Sequence, residues 1–431
     1  MTNFISIKDA IQQGKGEVSL RGWIYRERGS SAFKFIVLRD ATNIIQCVID
    51  KNVLGEEKFR TADKLKVEAS LTVTGDLHEE KRAPTGFEVH VKEFTVVGPS
   101  ENFPITKDQS PEFLLDNRHL WLRSRKMAAI LKVRHTVLQA FREFYITQGF
   151  YEMPPPILQP TMCEGGSTLF EVKYYSDKMY LSQSWQLYGE AAIYALEKLI
   201  CLSPCFRAEK SKTSRHLSEF IMAEMEAAWY QLPELLDSIE GCILHIIEKV
   251  IKDNEEELKL LGQNVEKLKK IQAPLPRITY TDALQILKEQ EHMDVAWGKD
   301  LRTIEEDKLM NHFAKPVIIT HYPKEIMAFY KPKDPQQPNT ALCVDVIAPE
   351  GYGEIVGGSQ RSMDVEEMQK DLTNQGEDPK KYDWYFDLRR YGGVPHSGYG
   401  LGIERVVAWL CKLDNIKDAI PFPRTMLRKF P

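Results

Sequence analysis

The sequence predicts an α+β protein in two parts. An N-terminal closed β-barrel of the OB type occupies residues 1–100, and a larger domain of helices and antiparallel-looking strands occupies residues 126–431. Three observations predict it. Five short strand-like segments fall within the first 100 residues. A stretch broken by prolines follows them. Beyond it, helical and strand patterns alternate irregularly to the C-terminus.

The barrel strands are SLRGWIYRER, FKFIVLRD, NIIQCVID, ASLTVTGDL and FEVHVKEFTVVG. Each alternates apolar and polar residues or is rich in β-branched types, and glycines and polar clusters separate them. Small barrels of this kind bind single-stranded nucleic acid, with aromatics stacking on bases and arginines meeting phosphates. Arg26, Arg28, Phe35 and Arg39 fit those roles, and Gln46 can read a base edge. The competing reading makes Phe35 a core residue and the arginines solvated. Residues 1–100 carry 15 basic and 14 acidic side chains, so charge alone does not decide.

Residues 101–125 read as a linker. Gly98, Pro99, Pro104 and Pro111 break regular structure, and LLDNRHLWLRSRK then turns helical. Lys126–Gln148 is amphipathic, with Ile130, Val133, Val137, Leu138, Phe141 and Phe144 at helical spacing. GFYEMPPPIL allows only an extended strand end or edge. WQLYGEAAIYALEKL is helical. Residues 235–272 read as a helical insertion: two helices separated by the charge run DNEEELK. KPVIITHYP and ALCVDVIAP read as strands. GYGEIVGGSQRS sets Glu354 and Arg361 around a Gly–Gly turn.

The strand–loop–strand segment from LICLSPCFRAE to FIMAEMEAAWY carries the first chemical signal. Arg207 stands among apolar neighbours, where a lone charge is costly unless paired. A phosphate pairs it bidentately. Arg215 and His216 lie in the charged tip, placed to meet the far end of a polyphosphate, and Phe220 can stack on a base. The other reading is a charged hairpin held by salt bridges. A strand carboxylate at Glu354 suits Mg²⁺ held with nucleotide phosphates, since Mg²⁺ prefers oxygen ligands. There is no GxxxxGK[ST] loop and no GxGxxG after a first strand, so the inferred nucleotide site is built from arginines.

The remaining composition bounds the setting. The chain has 431 residues and a net charge of −5, so nucleic acid would be met by local patches. No apolar run reaches a membrane span, and MTNFISIKDA lacks the apolar core of a signal peptide. Seven cysteines without disulfide-framework spacing point to a reducing cytoplasm. Cys201 and Cys205, with Cys163 and His216 elsewhere, read as ordinary packed residues rather than zinc ligands.

GFYEMPPPIL, FRAEKSKTSRHLSEF and GYGLGIERVVAW, in that order, resemble the three signature motifs of class II aminoacyl-tRNA synthetases. The N-terminal barrel resembles the anticodon-binding domain of the aspartyl/asparaginyl branch. The resemblance implies a six- or seven-stranded antiparallel sheet flanked by helices, and a homodimer with the first motif at its interface. It implies a reaction of amino acid with ATP to give an aminoacyl-adenylate, followed by transfer to tRNA. By resemblance, Arg207 holds the α-phosphate and Arg405 the γ-phosphate of a bent ATP. Phe220 stacks on adenine, Glu209 lies near the base and the tRNA end, and Arg215 or His216 touches the outer phosphates. Asp345 and Glu354 match magnesium positions. Related enzymes place a serine three residues after the glutamate; here that place is Gly357, and Ser359 follows two later. Glycines before Arg405 let the backbone approach adenosine.

Aspartyl enzymes of the branch carry a lysine in an S-x-Q-L-Y-K pattern, which pairs with the substrate carboxylate. Here SWQLYGE puts Gly189 in its place, which removes the reason to bind a negative side chain. Arg361 matches the arginine that meets the side-chain oxygen, and an amide needs one donor and one acceptor. Glu209 or a carbonyl is the expected acceptor. FRAEKSKTSRHL, EIVGGSQR and DLRRYGGVPHSGYG resemble asparaginyl-tRNA synthetases of archaeal type. Glu164, in CEGGS, matches a mobile loop over the amino acid, and Gln186 and Glu224 match positions that hold its α-amino group. Arg28, Phe35 and Gln46 match residues that recognise the central anticodon uridine. The expected partners are ATP, Mg²⁺, asparagine, tRNA(Asn) and a second copy of the chain, with no membrane. The rivals are an aspartyl enzyme of relaxed tRNA choice, which Gly189 opposes, and an asparagine synthetase paralogue, which the barrel opposes. A non-catalytic RNA-binding relative is opposed by Arg207, Glu354 and Arg405.

Overall fold

The computed structural model describes residues 3–107, 109–164, 168–210 and 215–431. Gly165, Gly166 and Ser167 of the predicted CEGGS loop, and residues 211–214 at the predicted hairpin tip, lie outside that set. The chain divides into two compact units, Met1–Leu120 and Trp121–Pro431.

The first unit starts with α1 (Ile7–Gln13), capped by the Ser6 hydroxyl, which accepts from the Asp9 N–H. Five strands close a barrel: β1 (Gly16–Gly29), β2 (Phe33–Arg39), β3 (Ile44–Asp50), β4 (Ser70–Glu79) and β5 (Phe87–Gly98), in the order β1-β2-β3-β5-β4. A short helical stretch, α2 (Lys51–Asp63), joins β3 to β4. Alternation decides which side chains fill the barrel. Ile36 and Leu38 of β2 point inward with Leu20, Ile24, Val73 and Val89, while Phe33, Phe35 and Val37 face outward. Phe35 is therefore not a core residue.

The second unit opens on α3 (Arg125–Ile146). Its Ile130, Val133, Val137 and Phe141, three or four apart, are fully buried. Eight strands form the central sheet: β6 (Tyr151–Glu152), β7 (Lys198–Phe206), β8 (Glu219–Ala228), β9 (Arg277–Thr279), β10 (Val317–Thr320), β11 (Cys343–Ala348), β12 (Gly353–Gln360) and β13 (His396–Gly402). Their order is β9-β10-β11-β12-β13-β8-β7-β6. The six central strands are antiparallel as expected. One short parallel strand is added at each edge, β9 beside β10 and β6 beside β7.

One local expectation is corrected. Gly357 and Gly358 do not make a turn; both lie inside β12, Gly357 pairing with Asp345 on one side and Gly400 on the other. The segment read as two helices split by a charge run does break there: α4 (Leu232–Leu260) leaves helical geometry at Asn254 (φ −131°, ψ 26°), inside DNEEELK. Helix resumes beyond the kink, where Leu258 is again buried. Leu235, Ile239, Cys242, Ile246 and Val250 of α4 share one core with α3 and the sheet, so this helix is part of the domain's core.

Candidate active site

Strand pairing sets the site. On β8, Phe220, Met222, Glu224 and Glu226 recur every second residue, while Ala223, Met225 and Ala227 face the core. Across the ladder on β13, Gly402, Gly400 and Gly398 pair with Met222, Glu224 and Glu226. A Cβ at Gly398 would stand 2.2 Å from the Glu226 carboxylate, and one at Gly400 would stand 2.4 Å from the Met222 methyl. These glycines make room for long side chains on the neighbouring strand, which extends the expectation that they serve backbone approach alone.

One cavity of about 470 Å³ lies over these strands. Its wall brings together Glu164, Gln186, Arg207, Glu209, Arg215, His216, Phe220, Glu224, Asp345, Glu354, Arg361 and Arg405, twelve of the residues singled out from the sequence. Arg207 stands just past the end of β7, held by its N–H to the Ser218 carbonyl (3.0 Å). Its guanidinium lies 5.5 Å from the Phe220 ring centroid, and its buried Nε has no acceptor among the described residues. A buried unpaired guanidinium N–H is costly, and a phosphate oxygen satisfies it. Arg215 donates to both oxygens of Asp307 (2.8 and 3.1 Å) on α5 (Thr303–Met310). Arg405 is the third residue of α6 (Ile403–Leu410) and donates to the Glu354 carbonyl and carboxylate (2.5 and 3.4 Å). Its neighbour Glu404 is buried and paired with Arg134 (2.7 Å). Burial, then the Arg405 charge, lowers the pKa of His216, which lies 3.8 Å from Glu209.

Asp345 and Glu354 face each other beside Gly357, whose added Cβ would reach 2.9 Å from one and 3.5 Å from the other. Burial, then the Glu354 charge, pushes Asp345 up to about 8. A buried carboxylate pair over a side-chain-free strand position suits Mg²⁺, which takes oxygen ligands and completes its shell with phosphates and water. Ser359 does not join them. It is fully buried, off the cavity wall, and accepts from Arg361 Nη1 (3.0 Å). It shares the face of Gly357, but its hydroxyl is taken by the guanidinium rather than the carboxylate pair, so it is removed from the metal set. Gly189 is likewise absent from the wall. It lies in a helix, Gln186–Leu196, where a Cβ would stand 2.6 Å from the Trp185 ring. Its glycine is required by packing against that indole, and it does not contact the pocket.

The Arg361 end of the cavity contains groups the sequence reading missed. Arg361, buried, makes a bidentate pair with Glu226: Nε lies 3.2 Å from Oε2, and Nη2 donates to Oε1. Burial pushes Glu226 up to about 8, even beside that cation. Behind the pair, Glu190 accepts from Gln186 (2.9 Å), Tyr385 (2.7 Å) and Arg389 (2.5 Å) and contacts His396 (2.9 Å). Burial alone would raise its carboxyl, but Arg389, His396 and Arg361 outweigh it and hold it well below the usual range. Glu224 accepts from Ser184 and from the Trp185 N–H (3.0 Å), and Glu164 accepts from the Tyr330 hydroxyl. The period-2 pattern of β8 was the available signal for Glu226, two residues after Glu224.

On the barrel, Arg28 and Phe35 are cross-strand partners, with the guanidinium 4.9 Å from the ring centroid. Gln46 Nε2 donates to Glu88 Oε2 (2.7 Å), which leaves its carbonyl oxygen to accept from a base N–H. Phe33, 37% exposed, lies 6.3 Å from Phe35 and widens the outward aromatic face. Arg26 lies over Tyr25, and Arg39 is paired with Glu68 (3.0 Å). Among the described residues no helix is long and apolar enough to cross a membrane. Likewise, no group of three or more His, Cys, Asp or Glu is placed to hold a metal, and all seven cysteines are buried and free.

Comparison with known proteins agrees with this geometry. Residues 110–426 match the family described as tRNA synthetases class II (D, K and N), and residues 18–97 match the OB-fold nucleic acid binding domain. The chain is 45% identical to the asparagine–tRNA ligase of Thermoplasma acidophilum over 96% of both chains, and 47% identical to that of Thermococcus gammatolerans over 97% of both. A solved structure of asparaginyl-tRNA synthetase from Pyrococcus horikoshii complexed with asparaginyl-adenylate superposes with a TM-score of 0.96, 44% identity and full coverage of both chains. Barrel, sheet and arginine-lined cavity thus coincide with one family along the whole chain, and the protein belongs to the class II tRNA synthetases of the D, K and N group, among its asparagine–tRNA ligases.

Proposed function

We propose that the chain ligates asparagine to tRNA(Asn) in two steps through an asparaginyl-adenylate. The observation that carries this reading is a cavity with arginines at its phosphate end and, at its other end, Arg361, which is paired with the buried Glu226 behind it. A guanidinium N–H facing the cavity donates to the carboxamide oxygen, and a carboxyl oxygen accepts from the carboxamide NH₂. Glu226 thus takes the acceptor role expected of Glu209. An aspartate side chain has no N–H to give to that carboxyl oxygen, so the acceptor would be left unmet.

In the first step the asparagine carboxylate attacks the α-phosphorus, and the electron pair of the broken Pα–O bond leaves on pyrophosphate. No base is needed, because the nucleophile is already ionised; orientation and charge neutralisation supply the rate. Arg207 holds the α-phosphate. Arg405, Arg215 and His216 take the outer phosphates, Phe220 the adenine, and Glu209 the region of base and tRNA end. Gln186, Glu224 and Glu164 hold and cover the amino acid. Asp345 and Glu354 would hold Mg²⁺, which neutralises phosphate charge when bound.

Residues 1–100 serve as the anticodon-binding domain, with Arg28, Phe35 and Gln46 reading the anticodon, residues 101–125 as a hinge, and residues 126–431 as the catalytic domain. Two copies associate through the first motif, where Tyr151 and Ile157 leave apolar surface exposed (58% and 42%). Buried unpaired thiols accord with a cytoplasmic setting. Pyrophosphate exchange with ATP, run with asparagine and aspartate side by side, tests the assignment. Exchange with asparagine and not aspartate is expected; the reverse preference would defeat it.

A further inference from the structure

We infer that Lys331 is a catalytic residue whose ammonium faces both the asparagine carboxylate and the α-phosphate as they join. The inference rests on the adenylate-forming reading above and adds a cation that no signature motif contains. Lys331 lines the same cavity as Arg207, Asp345 and Glu354.

Its backbone is fixed on both sides. The N–H donates to the Ala328 carbonyl (3.0 Å), and its own carbonyl accepts from the buried Lys324 ammonium (2.7 Å), which is tied to Asp371 (2.7 Å). The preceding residue, Tyr330, donates to Glu164 and has the Arg361 guanidinium 5.3 Å from its ring centroid. The segment therefore reaches the amino-acid end.

The ammonium itself is poorly matched. Its contact is the Met327 sulfur at 3.5 Å, a weak acceptor, and among the described residues no carboxylate lies within ion-pair distance. Arg215 and Arg405, in the same cavity, each have a carboxylate at 2.8 and 3.4 Å. Burial opposes the charge on Lys331, but Cys343, Asp345, Glu164 and Glu354 outweigh it and raise its pKa. Those carboxylates belong to both ends of the cavity: Glu164 to the amino-acid loop, Asp345 and Glu354 to the metal pair. Lys331 lines the cavity next to Tyr330, which holds Glu164, and is paired with none of these carboxylates, so its charge is available to nucleophile and phosphorus.

The chemistry needs such a group there. A carboxylate and an anionic α-phosphate repel each other as they approach. The C–O–P anhydride bond then forms, the Pα–O–Pβ bond breaks, and pyrophosphate carries off the electron pair with no proton moved. An ammonium facing both anions is favoured more in the transition state than in the separated ground state, so it acts on kcat.

Lys331→Met keeps the apolar stem and removes the charge. In asparagine-dependent pyrophosphate exchange we expect kcat to fall about 100-fold, with KM for ATP and for asparagine each changing less than about 3-fold. Lys331→Gln carries the same expectation if the methionine variant does not fold. Lys331→Ala should regain about 10-fold with ethylammonium and nothing with ethanol, a distinction that packing alone cannot produce. A kcat in the folded Met or Gln variant within about 3-fold of the parent, or equal responses of Lys331→Ala to the two additives, would overturn the inference. Absence of asparagine-dependent exchange in the parent chain would instead strike the adenylate reading beneath it.

Discussion

Gly189 and Gly398 show how a single hydrogen in place of a methyl can specify a site from behind its wall. At Gly189 the obstacle is the Trp185 indole, fully buried one helical turn earlier. Gly189→Ala forces that ring against its packed neighbours, and overpacking of this kind costs about 1–3 kcal/mol. We expect a lower denaturation midpoint with an unchanged preference for asparagine over aspartate; a switch in preference would mean that the position does face the substrate. At Gly398 the obstacle is Glu226 itself. Gly398→Ala displaces the carboxylate from Arg361 and should raise KM for asparagine about 10-fold or more, with KM for ATP changed far less. Equal changes in both would place the fault in the sheet at large. The sequence shows that glycines crowd this strand. It does not show which neighbour needs the space, because that depends on the β8–β13 register.

At the scale of elements, α5 controls the charge of the outer-phosphate end. Arg215 is held by Asp307 (2.8 Å), with Glu306 3.7 Å away and packed against Gly353. An incoming triphosphate competes with these carboxylates for the guanidinium. Asp307 is 43% exposed at its side chain, so solvent discounts the pair to at most about 1 kcal/mol. Asp307→Asn is therefore expected to lower KM for ATP about 2- to 5-fold and leave KM for asparagine alone; a raised KM for ATP would show that Asp307 orients Arg215 rather than competing for it. Much at this scale was legible in the sequence. The five barrel strands follow from alternation, and α3 follows from its 3–4 spacing. The hairpin that carries Arg207 and Phe220 was marked by a charge among apolar residues. What was not legible depended on distant partners. α5 gave no chemical signal, since Glu306 and Asp307 look like any solvated acidic turn until Arg215 arrives from a segment 92 residues away. Glu190 reads as a surface glutamate until Arg389 and His396 close around it.

For the molecule as a whole, acids buried around an open cavity make stability depend on pH in a stated direction. Burial is the first cause of the raised values in each case: Asp345 to about 8, Glu226 to about 8 and Glu306 to about 7. A carboxyl whose folded-state pKa lies above its unfolded value binds its proton more tightly when folded. Its contribution is fully present below about pH 4 and is lost as pH rises through the folded value. Glu190, held low by its cations, works in the opposite sense, but its loss falls only in strong acid. Between pH 5.5 and 8.5 the ligand-free chain should therefore lose stability, by on the order of 2 kcal/mol once solvent in the cavity is allowed for. That corresponds to a thermal midpoint lower by about 2–5 °C. Magnesium added with ATP should reverse the trend, because the metal binds the ionised carboxylates and so gains affinity as pH rises. Asp345→Asn should flatten the ligand-free profile. A midpoint that climbs with pH in the ligand-free protein would show that these carboxyls are ionised throughout, with cations nearer to them than the strand geometry places.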